Sequence, residues 1–333
     1  MVAASTLILP RADVAALLTL PEYIEAVEVA FCAYAEGKTL TPGVMHIDAA
    51  GGEFHAKAGG LSQVGNSYFG IKVNGGFFQN PVLNGLPSIQ GIIYLADAET
   101  GRPLAVMDSA HITALRTGAA TAVAAKYLAH EDSSCVTVCG AGQQARVQLA
   151  SLCLVRPIER AFVWDRHPES ASAMAKEMTQ RLNIPVSPIR AIRDGSLKSQ
   201  IVVTCTPSRE PFLHRRDISK GTFIAAVGAD SFDKQEIESS IIVEAIVVTD
   251  ITDQCATSGE LHHAIAANLV DLNHVHAEIG QIIAEQRPGR TAPDQLIVYD
   301  STGTALQDVA CAAAIYRKAL ATRRGVNVTL SDT

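Results

Sequence analysis

The sequence holds no C-x-x-C pair, no lysine- and arginine-rich run and no apolar stretch long enough to cross a bilayer. Each absence removes a class of function. The seven cysteines (Cys32, Cys135, Cys139, Cys153, Cys205, Cys255, Cys311) are odd in number and scattered, so neither a disulfide framework nor a cysteine zinc site is expected. Cys135 and Cys139 lie an even number of positions apart on one predicted strand and share a face. Free buried thiols in a reducing cytoplasm are the expected state. A formal net charge of -7 offers nucleic acid no basic surface. The apolar segments break off well before spanning length, which excludes a membrane partner. The first ten residues carry no basic region ahead of Leu7-Ile-Leu9 and read as a first strand, not a signal peptide. Charged residues are only 18% and hydrophobic ones 48%, which over 333 residues suits two domains with ample cores and excludes a disordered chain.

What is present centres on Ser134–Arg146. Val136–Val138 is a short β-branched run that reads as a buried strand. Gly140-Ala-Gly142-Gln-Gln-Ala145 follows with the G-x-G-x-x-G/A spacing, and Ala145–Leu154 reads as helix. Gly140 permits the tight turn, Gly142 lets a pyrophosphate approach the backbone, and Ala145 lets helix pack close on strand. The N–H groups of the helix start then face the phosphates. Arg160–Trp164 reads as the next strand. Asp165 ends it about 20 residues after the glycines, where an acidic side chain binds ribose hydroxyls.

Ahead of this unit, Pro21–Gly37 carries a helical stripe of Ile24, Val27, Ala30, Phe31 and Tyr34. The segments 54–57, 68–73 and 89–95 read as strands of an antiparallel or mixed sheet, with turns expected at Gly59-Gly60, Gly75-Gly76 and Glu99-Thr-Gly101. Ser109–Leu128 reads as a helix whose small residues imply close packing. Beyond it, helix 170–182 and the compact runs 200–205, 222–227, 245–249 and 295–299 indicate a parallel sheet covered on both faces. Asp300-Ser-Thr-Gly303 reads as a turn and Ala305–Leu320 as a last helix returning to the first region.

Several polar residues stand in apolar or small-residue settings. Lys72 lies between Ile71 and Val73, and Arg116 opens a run of small residues; each reads equally as a site residue or as a solvated surface cation. Asp230 follows Ala225-Ala-Val-Gly-Ala229 at the carboxyl end of a strand, the edge where open α/β sheets bind ligands. It reads as an acid/base, with a helix N-cap as the alternative. Thr206 occupies the corresponding end of another strand. His262-His263 and His274-Val-His276 lack metal-ligand spacing, so no metal is assigned. No nucleophile–base signature appears.

In combination these segments resemble the ornithine cyclodeaminase/mu-crystallin family. The resemblance runs from about Gly70 to Leu320 and rests on Leu115-Arg116-Thr117-Gly-Ala-Ala-Thr, Gly140-Ala-Gly142-Gln-Gln144, Val227-Gly-Ala-Asp230 with Lys234-Gln-Glu, and Tyr299–Asp308. It implies an α/β fold in which a Rossmann-type doubly wound parallel sheet, residues 116–304, is inserted in a smaller α+β domain, residues 1–115 plus 305–333. The smaller domain would bind substrate and form a homodimer. The resemblance implies an oxidoreductase holding NAD or NADP; Asp165 favours NAD, with NADP possible through Arg166, and the free cysteines point to the cytoplasm.

Carried over by position, Lys72 and Arg116 match substrate-carboxylate contacts and Asp230 matches the catalytic acid/base, with Lys72 beside it. Ser88, Arg116, Thr117, Gly140, Gly142, Gln143, Gln144, Asp165, Arg166, Thr206, Val227, Gly228, Ala229, Lys234, Ser301 and Gly303 match the cofactor side. The sequence departs from the family in one respect: no arginine occurs between Arg11 and Arg102, where many members carry another carboxylate-binding arginine. His46 and Lys57 are the residues available to stand in, although a lysine lacks the bidentate fork.

The implied chemistry is reduction of small α-imino acids or oxidation of α-amino acids, as in a pyrroline-2-carboxylate reductase or an alanine-type dehydrogenase. Ornithine cyclodeamination, with the cofactor recycled, is the alternative reaction. A non-catalytic mu-crystallin-like ligand binder is the alternative of another class. Members of that kind lack the aspartate matched by Asp230, so its presence favours an enzyme.

Overall fold

Strand-forming runs of two kinds, alternating and continuously apolar, separate into two sheets. The computed structural model describes residues 5–62 and 67–330. The chain divides into unit 1, Met1–Arg116 with Thr304–Thr333, and unit 2, Thr117–Gly303.

Unit 1 holds a seven-stranded sheet built from β1 (Ser5–Leu9), β2 (Thr39–Ala49), β3 (Gly52–Leu61), β4 (Tyr68–Gly76), β5 (Ile89–Asp97), β6 (Pro103–Asp108) and β15 (Val326–Thr329). Residues 1–4 of the expected first strand lie outside the described residues. The order is β15-β1-β6-β5-β4-β3-β2; β2 to β6 form an antiparallel meander, and only β1 and β6 pair in parallel. The sheet is therefore mixed. The helix Leu20–Ala35 starts at a capping box, Thr19 with Glu22, and buries Ile24, Val27, Ala30 and Phe31.

Two expected turns are strand instead. Gly59-Gly60 lies inside β3 and Gly75-Gly76 ends β4, whereas Glu99-Thr-Gly101 does turn. Gly59, and Gly70 within β4, serve close approach. A Cβ on Gly59 would meet Ala305 and Leu306 at 3.3 Å, and one on Gly70 would stand 2.8 Å from Val309 Cγ2. These gaps in side-chain cover seat the helix Ala305–Thr322 on the sheet.

Unit 2 holds β7 (Cys135–Cys139), β8 (Arg160–Trp164), β9 (Val186–Pro188), β10 (Ile201–Thr204), β11 (Phe223–Ala226), β12 (Ile246–Thr249), β13 (Val275–Glu278) and β14 (Ile297–Asp300). Their order is β13-β12-β14-β11-β10-β7-β8-β9, and every pairing is parallel. Val136, Val138, Ile201, Val202, Phe223, Ile224, Val247 and Val298 are fully buried, as continuous apolar strands between two helical layers require. From β7 the chain winds outward through β8 and β9, then returns to the other side of β7 at β10. That reversal is the topological switch point of a doubly wound sheet. The helix Ser109–Leu128 crosses the boundary between the units within one continuous element. In unit 2 its Gly118 lies so near the helix Gln143–Leu152 that a Cβ would stand 2.6 Å from Val147 Cγ1.

Candidate active site

The loops after β7 and β10 flank the switch point and line a cleft of about 290 Å³, walled by Gly140, Ala141, Gly142, Asp165, Thr206 and Phe212 among others. Gly140 has φ +112°, a conformation that side chains rarely adopt. Gly142 is the N-cap of Gln143–Leu152 and makes no side-chain cap bond, and a Cβ there would meet nothing within 4 Å. The backbone is thus open toward the cleft, and Gln144 Oε1 is buried with no partner. An uncapped ten-residue helix beneath an open glycine loop fits a pyrophosphate. Asp165 receives the Ala141 and His167 amides, both at 2.8 Å, so the carboxylate that ends β8 also fixes the glycine turn. Trp164 and Phe212 stack with centroids 5.0 Å apart, giving the cleft an aromatic wall. Arg166 points to His167 at 3.1 Å.

A carboxylate that the sequence reading did not assign holds the other lip. Glu236, fully buried, accepts hydrogen bonds from the Thr206 amide (2.6 Å), the Thr206 hydroxyl (2.7 Å) and the Gly228 amide (2.8 Å). Burial pushes its carboxyl up to about 7 while those donors pull it down. A Cβ on Gly228 would strike Thr206 O at 2.3 Å and Glu236 at 2.4 Å, so the Val227–Ala229 turn requires glycine at its centre. Behind it, Glu260 accepts from the Glu236 amide at 2.7 Å, and Asp300 accepts from the Glu260 and Leu261 amides. Asp250 takes the Gly303 amide at 2.6 Å, and the Ser301 amide goes to Ala226 O, so both residues belong to the framework at the carboxyl ends of β11, β12 and β14. Only Asp250 and Asp300 carried a signal, a carboxylate at the end of an apolar strand; Glu236 and Glu260 lie in polar stretches, and donors that are mostly backbone amides leave no mark in a sequence.

Asp230 lies in the irregular segment after β11. The next helix begins only at Ser239, so the N-cap alternative does not hold. Its carboxylate is half exposed and pairs with Lys234 Nζ at 2.6 Å.

Unit 1 assembles a second cluster. Lys72 on β4 and Arg116 on the helix Ser109–Leu128 are 3% and 6% exposed, and they share one carboxylate. Lys72 Nζ lies 2.7 Å from Asp308 Oδ2, and Arg116 Nε lies 3.1 Å from Asp308 Oδ1. Arg116 Nη1 also donates to Gln307 Oε1 at 2.8 Å. Lys57 stands directly opposite Lys72 in the β3–β4 register. Burial pushes the Lys72 ammonium down to about 7; Asp308 opposes the shift, and Arg116 and Lys57 add to it. Burial raises the Asp308 carboxyl, but Lys72, Arg116 and Lys57 outweigh that and hold it low. Lys72 and Arg116 are therefore not solvated surface cations.

His46 is turned elsewhere, with Nε2 3.1 Å from Asp48 and 3.5 Å from Glu53. Ser88 lies in unit 1, half-buried, its carbonyl accepting from the Phe77 amide. Thr117 is the first residue of unit 2. The paired histidines serve backbone carbonyls: His262 faces Ala256 O, His263 Lys234 O, His274 Ile242 O and His276 Pro288 O. Among the described residues no helix is long and apolar enough to cross a membrane, and all seven cysteines are free.

A family model described as "Ornithine cyclodeaminase/mu-crystallin family" matches residues 4–323. The chain is 33% identical to an iminosuccinate reductase of Paracoccus denitrificans, over 96% of this chain and 98% of that protein. It superposes on an archaeal alanine dehydrogenase dimer with bound NAD at a TM-score of 0.93 and 35% identity, covering 98% of this chain and all of the other. A Thermococcus litoralis Delta(1)-pyrroline-2-carboxylate reductase in complex with NADH and L-proline matches at a TM-score of 0.92 and 35% identity, with 97% and 100% covered.

Proposed function

Because the chain belongs to the ornithine cyclodeaminase/mu-crystallin family, we propose that it is an NAD-dependent oxidoreductase of small α-imino and α-amino acids. The observation that carries this reading is the buried pair Lys72 and Arg116 sharing the single carboxylate of Asp308. Two cations on one counter-charge in a dry site hold an anion strongly, and a substrate carboxylate supplies one. Lys57 adds positive charge, in the role left open by the missing arginine; His46, occupied with Asp48 and Glu53, does not.

Unit 2 is the dinucleotide-binding domain and unit 1 the substrate-binding and dimerisation domain. Gly140, Gly142, Gln143 and Gln144 hold the pyrophosphate, and Asp165 the adenosine ribose. Thr206 and the Val227–Ala229 turn line the nicotinamide side, with Ser88, Thr117, Lys234, Ser301 and Gly303 supporting it. The cofactor, when bound, supplies or accepts the hydride. The chain's own residues fix the carboxylate and manage the proton: protonating an imine makes its carbon a better hydride acceptor. Asp230 supplies that proton, and Lys72, with its affinity brought near neutrality, is a second group able to hold one. The enzyme is a cytoplasmic homodimer. Edge strand β2 exposes Met45 and Ile47 on the face opposite His46 and Asp48, an apolar pair suited to a second copy.

The deciding assay supplies pyrroline-2-carboxylate, or pyruvate with ammonia, together with NADH or NADPH. Separately, ornithine is supplied with catalytic NAD. Stoichiometric NADH loss is expected in the first. Proline formed from ornithine without net cofactor turnover would identify a cyclodeaminase, and inertness in every arm would leave only a ligand binder.

A further inference from the structure

The hairpin of β2 and β3 carries a constellation that the oxidoreductase reading does not use. His46 and His55 are direct partners in the antiparallel register, and Asp48 and Glu53 form the next pair on the same face. The two imidazoles have centroids 4.3 Å apart at 70°. His55 Nε2 lies 3.1 Å from Glu53 Oε1, and His46 Nε2 lies 3.5 Å from Glu53 Oε2. One donor atom from each of His46, Glu53 and His55 lies within 4.8 Å of the other two.

We propose that His46, Glu53 and His55 form a binding site for a first-row divalent transition ion, zinc foremost. A tetrahedral ion with nitrogen and oxygen ligands at about 2.0–2.2 Å holds its donor atoms about 3.3 Å apart. The two histidine–glutamate separations, one to each oxygen of Glu53, lie near that value, and with all three donors within 4.8 Å of one another, side-chain rotation closes the set around an ion. Two imidazoles and one carboxylate select zinc, copper or nickel over calcium or magnesium, which take oxygen ligands. The three side chains are 34%, 27% and 23% exposed, in the order His46, Glu53, His55. That exposure gives the ion an entry path and leaves its fourth position to water. Asp48, 95% exposed, stands beside His46, its carboxylate 3.1 Å from Nε2. The site was hidden in the sequence because its ligands come from two strands and meet only through the register. Bound there, the ion cross-links edge strand β2 to β3.

The test uses the full chain freed of metal with a chelator and titrated with Co²⁺, followed by Zn²⁺ competition. The expected result is one saturable ion per chain with visible d–d bands and no thiolate charge-transfer band. Zn²⁺ displaces it and raises the melting temperature. His55→Gln abolishes the signal and Glu53→Gln weakens binding at least tenfold, while both variants keep the wild-type melting temperature in chelator. A thiolate band, binding unchanged in His55→Gln, or no saturable binding overturns the proposal. Circular dichroism of each variant separates loss of ligand from loss of fold.

Discussion

Glu236 grips Thr206 twice through one carboxylate oxygen, at 2.6 Å from the amide and 2.7 Å from the hydroxyl. The second oxygen holds Gly228, so a single buried side chain ties together the loops after β10 and β11. Glu236→Gln keeps the shape but turns an NH₂ toward a donor on one side. Leaving a buried donor unmet costs about 1–3 kcal/mol. The melting temperature should fall by several degrees and NADH affinity should weaken with it. Variants with both quantities unchanged would show that the loops hold themselves.

Lys72 sets a pH dependence whose sign follows from its depressed proton affinity. Its folded value of about 7 lies below the ordinary 10.5, so between those limits the unfolded chain binds more protons. Lys72 thus contributes stability that grows as pH rises from about 7 toward 10.5, and Lys72→Met removes that slope in melts across the range. Activity runs the other way. Carboxylate binding needs the charged form, so kcat/KM should decline above about pH 7. Lys72→Met should raise KM by tens-fold or more, as loss of a charged hydrogen bond of about 1.5–3 kcal/mol requires. Unchanged saturation would remove Lys72 from the substrate site.

Asp230→Asn tests proton transfer. The residue caps no helix, and its exposed ion pair with Lys234 contributes little stability, about 0–1 kcal/mol. Melting temperature and NADH binding should persist while turnover drops by about 10²–10⁴-fold. Near-wild-type turnover would remove Asp230 from the proton-transfer step.

Asp165→Ser tests cofactor choice. An aspartate accepts ribose hydroxyls and repels a 2′-phosphate, whereas Arg166 beside it attracts one. The ratio of catalytic efficiencies should shift toward NADPH. Since Asp165 also takes the Ala141 and His167 amides, affinity for both cofactors should weaken as the glycine turn loosens. A ratio that stays put would detach Asp165 from selectivity.

The parallel sheet of unit 2 was legible because continuous apolar runs such as Ile201–Thr204 and Phe223–Ala226 admit few other fates, and the glycine loop marked its switch point. Lys72 and Arg116 stood out as charges among small or apolar neighbours. Asp308 did not, since an acidic residue in the first turn of a helix reads as a dipole partner until the fold brings two cations to it. The glycine pairs of β3 and β4 misled for a related reason. Glycine serves both turning and close approach, and only the fold distinguishes the two: the helix packs over Gly59, and the rings of Phe54 and Phe77 press on Gly75. Glu236 escaped because two of its three donors are backbone amides and the third, the Thr206 hydroxyl, lies 30 residues away, and the His46–His55 pair because register is a property of two strands at once.

Unit 1 is discontinuous, closed by Thr304–Thr333 after the whole of unit 2 has intervened. Synthesis proceeds from the amino end, so every strand of unit 2 is translated before the helix that covers the sheet of unit 1 and before the strand that pairs with β1. Lys72 and Arg116 emerge long before Asp308, and until it arrives they must stay solvated. The order of translation therefore leaves the sheet of unit 1 without its cover until the last segment of the chain is released.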